Sequence, residues 1–262
     1  MAEIDNSSEV LDHFPYREMI GSLLWISTTC RPDVARPVNL MAKYNDKPPT
    51  RGRARVLMAI LAYLVSTLHF GISYSPELEI EHTEMYGSDE KGRPLKPTPF
   101  HLFCDASGYT PNDEGYSVGG FLFTLYGTSI GWKSRRQTIR ASSTCEAEYI
   151  AIADGVAWAE VWGYITFFLW DHRKRAITEG GLPEATRIWT DSMSARDIAI
   201  SDMNRPRARW LAIRWYIVKD HRMRLKFCDA GKQRADALTK PPTRDGIIAI
   251  LTRYGVCPLA SI

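Results

Sequence analysis

Residues 99–107 read PFHLFCDAS, an apolar run of strand length that ends on a carboxylate, Asp105. Three more acids sit in comparably apolar surroundings: Glu148 in STCEAEYIAI (143–152), Asp191 in RIWTDSMSA (187–195) and Asp236 in QRADALTKP (233–241). The intervals between the four are 43, 43 and 45 residues. A carboxylate among apolar residues is costly unless it is paired, hydrogen-bonded or bound to a metal. If the fold brings the four together, they form a hard, oxygen-rich site suited to Mg²⁺. Two such ions can hold a phosphate between them.

Working outward, the residues around these acids alternate between strand and helix patterns. PFHLFCDA reads as a strand, and SVGGFLFTLY with TSIGWKS as a hairpin around Gly127. The stretch STCEAEYIAIADGVAWAEVWGYITFFLW has helical spacing. RIWTDS reads as a short strand, SMSARDIAI as a short helix, RARWLAIRWYIVKDHR as a basic amphipathic helix and MRLKFCD as a strand. KQRADALTK opens a last helix. This order indicates an α/β or α+β layer fold with a mixed sheet.

Upstream, residues 16–70 read as a small helical bundle. YREMIGSLLWIST follows Pro15, and RARVLMAILAYLVSTLHFG has Thr50 as a cap and Gly71 as a stop. Between them RPDVARPVNLMAKY reads as a helix that Pro37 should kink or interrupt. GISYSP reads as a short strand, and the polar stretch ELEIEHTEMYGSDEKGRPLKPT as an exposed loop or domain boundary.

Composition bounds the function. The chain has 262 residues, 45% of them hydrophobic and 24% charged, as in an ordinary folded protein of one or two domains. The longest apolar run, VLMAILAYLV, is about half the length of a membrane span. The acidic N-terminus resembles neither a secretory signal nor a transit peptide. Five scattered cysteines contain no CxxC pair, which argues against zinc and a disulfide framework and for an intracellular, reducing compartment, cytoplasm or nucleus. Net charge is only +3, yet residues 201–234 carry ten Lys or Arg against three Asp. That segment fits a polyanion as readily as a solvated helix face.

Five motifs in order carry a family resemblance: FCDAS, GWKSRRQ, SSTCEAEY, WTDSMSA and RADALTKP. They resemble the ribonuclease H domain of Ty1/copia-type retrotransposon polyproteins. The upstream PYREMIGSLLWISTTCRPDVA and ARVLMAILAYLVSTLHFGISY resemble the stretch after the polymerase palm in those proteins, a reverse-transcriptase thumb or connection. The resemblance implies a thumb- or connection-like helical domain at 1–75, a linker at 76–98 and a ribonuclease H-like domain at 99–262. It implies a five-stranded mixed sheet flanked by helices, with Asp105, Glu148, Asp191 and Asp236 as catalytic residues clustered at one edge and binding two Mg²⁺ ions, for which Mn²⁺ can substitute. One ion would activate water and the other would stabilise the leaving 3′-oxygen of the RNA strand of an RNA/DNA hybrid. Partners implied are that hybrid or another nucleic acid, with a polymerase domain or a larger assembly.

Around this core the readings stay open. Glu146 competes with Glu148, since two glutamates two residues apart point to different sides of a helix. AEYIAI favours Glu148 and leaves Glu146 a supporting role. Asp191 and Asp236 also suit helix N-caps. Lys133, Arg135, Arg136, Arg140, Ser142, Ser143, Thr144, Arg207, Arg209 and Arg214 are the candidate substrate contacts, although the hydroxyls would equally serve as caps. Trp210 and Trp215, interleaved with arginines, suit core packing or base contact. Cys145 has no histidine near it in sequence to activate it. The chain has no polymerase palm, no YxDD-like motif and no histidine in the loop before Asp236, and it begins with its own Met1, as a free-standing product would. The competing function is a domesticated, non-catalytic nucleic-acid-binding or structural subunit. A transposase or integrase fits less well, because the acids run Asp, Glu, Asp, Asp.

Overall fold

The structure is a computed structural model, in which the described residues are 9–108, 115–170, 186–201, 212–240 and 246–259. The first half contains helices α1 (Tyr16–Thr29), α2 (Ala35–Ala42) and α3 (Arg51–Ser66), strand β1 (Phe70–Ile72) and helix α4 (Pro76–Tyr86). Strands β2 (Phe100–Ala106), β3 (Val118–Leu125) and β4 (Thr128–Arg136) precede the long helix α5 (Thr144–Trp170). Then come β5 (Arg187–Thr190), α6 (Met193–Ile200), α7 (Ala212–Lys219), β6 (Leu225–Phe227), α8 (Asp236–Thr239), α9 (Gly246–Tyr254) and β7 (Val256–Pro258). None of the described helices is long and apolar enough to cross a membrane.

The chain forms two compact units, Met1–Ser73 with Lys240–Ile262, and Tyr74–Thr239. This partition differs from the expected 1–75, 76–98 and 99–262 in two places. The C-terminal residues join the first unit, where β7 pairs antiparallel with β1 and Ser73 N–H donates to the Gly255 carbonyl. The stretch expected as a linker is structured and belongs to the second unit. Ser75 caps α4, Pro76 occupies its first turn, and the helix buries His82 and Tyr86. Asp89 accepts from the backbone N–H of Lys91 and Arg93 and from the Arg93 side chain, which pulls its carboxyl down to about 2. Arg187 then donates to the carbonyls of Tyr86 and Lys96, fastening the end of α4 and the stretch that follows it.

In the first unit, α1 buries Tyr16, Ile20, Leu23 and Ser27, one stripe at helical spacing. It packs with Val34, Val38, Met41, Leu57, Ile60 and Leu64. Pro37 does not kink a helix: a 3₁₀ turn at Pro32–Val34 comes first, and α2 begins at Ala35, so the proline falls in a first turn that needs no N–H from it.

The second unit is built on a five-stranded mixed sheet in the order β4-β3-β2-β5-β6. β2, β3 and β4 run antiparallel in succession, whereas β5 is parallel to β2 and β6 to β5. The expected mixed α/β class and ribonuclease H-like sheet are therefore present. The hairpin turns on Tyr126 and Gly127, both at positive φ (49° and 82°), the twist that a two-residue loop between strands requires. On one face α5 buries Tyr149, Ile152, Ala153 and Val156 against Leu102, Cys104, Phe121 and Phe123. On the other, His101 and Phe103 of β2 stack with Trp189, and His82 and Tyr86 meet them edge-on.

Candidate metal centre

β2 is the middle strand and is buried on both faces, which is why its sequence is almost continuously apolar. Asp105 ends that run with no exposed surface. Phe103 is in register with Trp189 of the parallel β5, so Asp105 and Asp191, each two residues further on, stand abreast at the carboxyl ends of neighbouring parallel strands, Asp105 next to last in β2 and Asp191 just after β5. Crevices at such ends are where open α/β sheets bind ligands. Glu148, in the second turn of α5, reaches the same place and accepts from the Ala106 backbone N–H at 3.1 Å. One carboxylate oxygen from each of Asp105, Glu148 and Asp191 lies within 4.8 Å of the others.

The donor set is three hard carboxylate oxygens with no nitrogen or sulfur, which suits Mg²⁺ or Mn²⁺ better than zinc or copper. The negative charge reaches beyond the cluster. Burial pushes the Cys104 thiol up, and Glu148, Asp154 and Asp105 push it further. Burial and then Asp191 raise Cys228 in the same way. Both thiols are held protonated and inert.

Asp236 is not in the three-residue group. It opens α8, a four-residue helix and not the chain's last, and it is half-buried. Gln233 ties this turn to β2, donating to the Cys104 carbonyl at 2.9 Å and accepting from the Ala235 N–H at 3.2 Å.

Glu146 has a different task from Glu148. The Ser143 hydroxyl accepts from the Glu146 N–H at 3.2 Å, and the Glu146 carboxylate reaches back to the Ser142 N–H and hydroxyl. This is a variant of the capping box, in which the Glu146 carboxylate takes the N–H of the residue before the Ser143 cap, and the pattern Ser143-x-x-Glu146 signals it in the sequence. Ser142 and Ser143 are thus engaged as caps at the start of α5, with Thr144 exposed beside them.

Lys133, Arg135, Arg136 and Arg140 are exposed. Arg135 of β4 is level with Gly119 of β3 and Ala106 of β2, so two strand spacings, about 10 Å, separate its backbone from the acid-bearing end of β2. Lys133, Arg135 and Arg136 line a groove of about 310 Å³ together with Gly119, Phe121 and Asp154. Sequence reading missed Tyr116, whose ring has the Arg136 and Arg140 guanidiniums 4.9 and 5.0 Å from its centroid. Arg214 is half-buried on α7; Arg207, Arg209 and Trp210 lie outside the described residues, as does the side chain of Trp215. Cys145 is half-buried on the α5 side of the core.

No protein-family profile matches the chain. The Pol polyprotein of transposon TNT 1-94 from Nicotiana tabacum, described as retrovirus-related, is 27% identical over 238 residues, 88% of this chain and 15% of that protein. The corresponding polyprotein of transposon RE1 from Arabidopsis thaliana is 26% identical over 258 residues, 96% of this chain. The chain is distantly homologous to Ty1/copia-type Pol polyproteins over most of its length. It spans about one-seventh of the length of these two relatives. Among solved structures, the N-terminal RNase H domain of a Mycobacterium tuberculosis protein, fused to maltose-binding protein, matches at TM-score 0.38 and 14% identity. That match covers 58% of this chain and 94% of the matched chain.

Proposed function

We propose that the chain is a ribonuclease H-like endonuclease that hydrolyses the RNA strand of RNA/DNA hybrids with two Mg²⁺ ions, derived from a copia-type retroelement. The observation that carries the proposal is the convergence of Asp105, Glu148 and Asp191 within 4.8 Å at the carboxyl ends of two parallel strands. These three would hold divalent ions, with Asp236 completing the set from α8. The bound ions would supply positive charge at the scissile phosphate and lower the cost of forming the nucleophile at neutral pH. The protein's own part is placement. β2 and β5 fix the two aspartates, the α5 capping box sets the helix from which Glu148 projects, and Lys133, Arg135, Arg136 and Arg140 receive the backbone phosphates.

Homology to Pol polyproteins, of which the chain matches a small share, supports a polymerase portion or larger assembly as partner. Five unpaired cysteines suit a reducing, intracellular setting. The test is incubation of the purified chain and Asp191→Asn with a labelled RNA/DNA hybrid in Mg²⁺. Cleavage of the RNA strand by the unaltered chain alone is expected. Tight hybrid binding with no cleavage would point to the non-catalytic reading, and equal cleavage by both chains would place the chemistry elsewhere.

A further inference from the structure

Thr239 is almost fully buried, 1% exposed, three residues after Asp236 on α8. Its hydroxyl donates to Asp105 Oδ2 and also lies 3.0 Å from the Asp236 carbonyl oxygen. A hydroxyl has one proton, and a carboxylate is the stronger acceptor, so the proton belongs on the Asp105 side. The same oxygen thereby touches both acid-bearing elements: the carboxylate at the end of β2 and the backbone of the turn that carries Asp236.

The surroundings are built to hold it there. Ser134 of β4 donates to the Leu238 carbonyl, and Gln233 joins the preceding loop to β2. Beneath α8 lies Gly120 of β3. A Cβ at that position would stand 2.8 Å from both Leu238 Cβ and Thr239 Cγ2, closer than real side chains approach. Glycine therefore lets α8 settle onto the sheet, with the Thr239 methyl over the glycine and the hydroxyl against Asp105.

We propose that Thr239 is a positioning residue for the carboxylate site. It fixes the rotation of the Asp105 carboxylate and locks the Asp236 turn to it. An aspartate side chain rotates broadly about its last torsion, so a donor on one oxygen decides where the other points. Hydrogen-bond partners of metal-binding groups have this effect generally, and their loss weakens metal affinity about 10–100-fold. The role rests on the metal-site reading above.

The test is Mn²⁺ binding by the full chain, followed by loss of the free-ion electron paramagnetic resonance signal, for the unaltered protein, Thr239→Val, Thr239→Ser, Ser134→Ala and Asp105→Asn. Thr239→Val keeps the methyl packing over Gly120 and loses the donor; it is expected to weaken Mn²⁺ binding at least about tenfold. Thr239→Ser keeps the donor and loses the methyl, so it retains affinity while melting at lower temperature. Ser134→Ala loosens α8 without touching Asp105 and retains affinity. Should Thr239→Val fail to fold, Thr239→Ala compared with Thr239→Ser makes the same comparison. Unchanged affinity in Thr239→Val, or equal losses in Thr239→Val and Thr239→Ser, would overturn the role while leaving the metal site standing. No Mn²⁺ binding by the unaltered chain would overturn the site itself and this role with it.

Discussion

Two glutamates two residues apart should respond to substitution in opposite directions. Glu146→Ala removes the acceptor of the Ser142 N–H at the start of α5, and Glu146 itself is 4% exposed. Loss of such a cap costs roughly 1–2 kcal/mol, or about 2–8 °C in melting temperature for a chain of this size. Glu148→Gln keeps an oxygen for the Ala106 N–H but removes one of three crowded charges. At a separation of 4.8 Å each like-charge pair repels by about 0.9 kcal/mol in water and about 3.5 kcal/mol at an effective dielectric of 20. Relieving two pairs should stabilise the metal-free chain by roughly 2 kcal/mol or more. Adding a divalent ion at about 100 times its dissociation constant should stabilise the unaltered chain and Glu146→Ala by about 2.7 kcal/mol. Glu148→Gln should lose most of that gain. Differential scanning calorimetry with and without Mn²⁺ reads all of these quantities. If Glu148→Gln melted below the unaltered chain without metal, or kept the full metal-dependent rise, the division of labour between cap and ligand would be wrong.

Three further outcomes are expected. His82 and His101 are buried beside Arg187 and Arg234, and burial first and then these charges depress both, His101 to about 3. Their folded values lie below the unfolded value near 6.5, so the stability they contribute is intact above that pH and is lost as pH falls through it. The loss should approach roughly 5 kcal/mol by pH 4.5 for the pair, and urea melts across pH should show a shallower acid limb for His82→Phe. Tyr116→Leu should weaken hybrid binding and Tyr116→Phe should not, since the ring face and not the hydroxyl steadies Arg136 and Arg140; equal losses in a fluorescence-anisotropy titration would argue against the stacked pair. Gly120→Val should displace α8 and lower both melting temperature and Mn²⁺ affinity, and an unchanged protein would mean that α8 is not closely seated on β3.

How much of this was legible before the structure depends on the range of the interactions. β2, the hairpin, α5 and β5 follow from local periodicity, and once β2 and β5 are parallel neighbours Asp105 and Asp191 must stand together. Glu146 was legible too, through the Ser143-x-x-Glu146 spacing. α4 was hidden because only a few of its residues are buried and its exposed face is rich in glutamate, so composition reads as loop. The Ser75–Pro76 start was the available signal. The pairing of β1 with β7 joins three-residue strands almost 190 positions apart, and nothing local announces it. Thr239 was visible inside its motif, but its acceptor lies 134 residues away across the sheet. Tyr116 lay outside every motif, and its value depends on two arginines that approach it only in the fold.

The central claim is that Asp105, Glu148 and Asp191 hold a divalent ion at the end of the sheet. A crystal of the chain soaked in Mn²⁺ and measured near the manganese absorption edge tests it directly. An anomalous peak bridging the three carboxylates, absent in Asp191→Asn, is the predicted result. Three ordered carboxylates with no peak among them at saturating Mn²⁺ would contradict it.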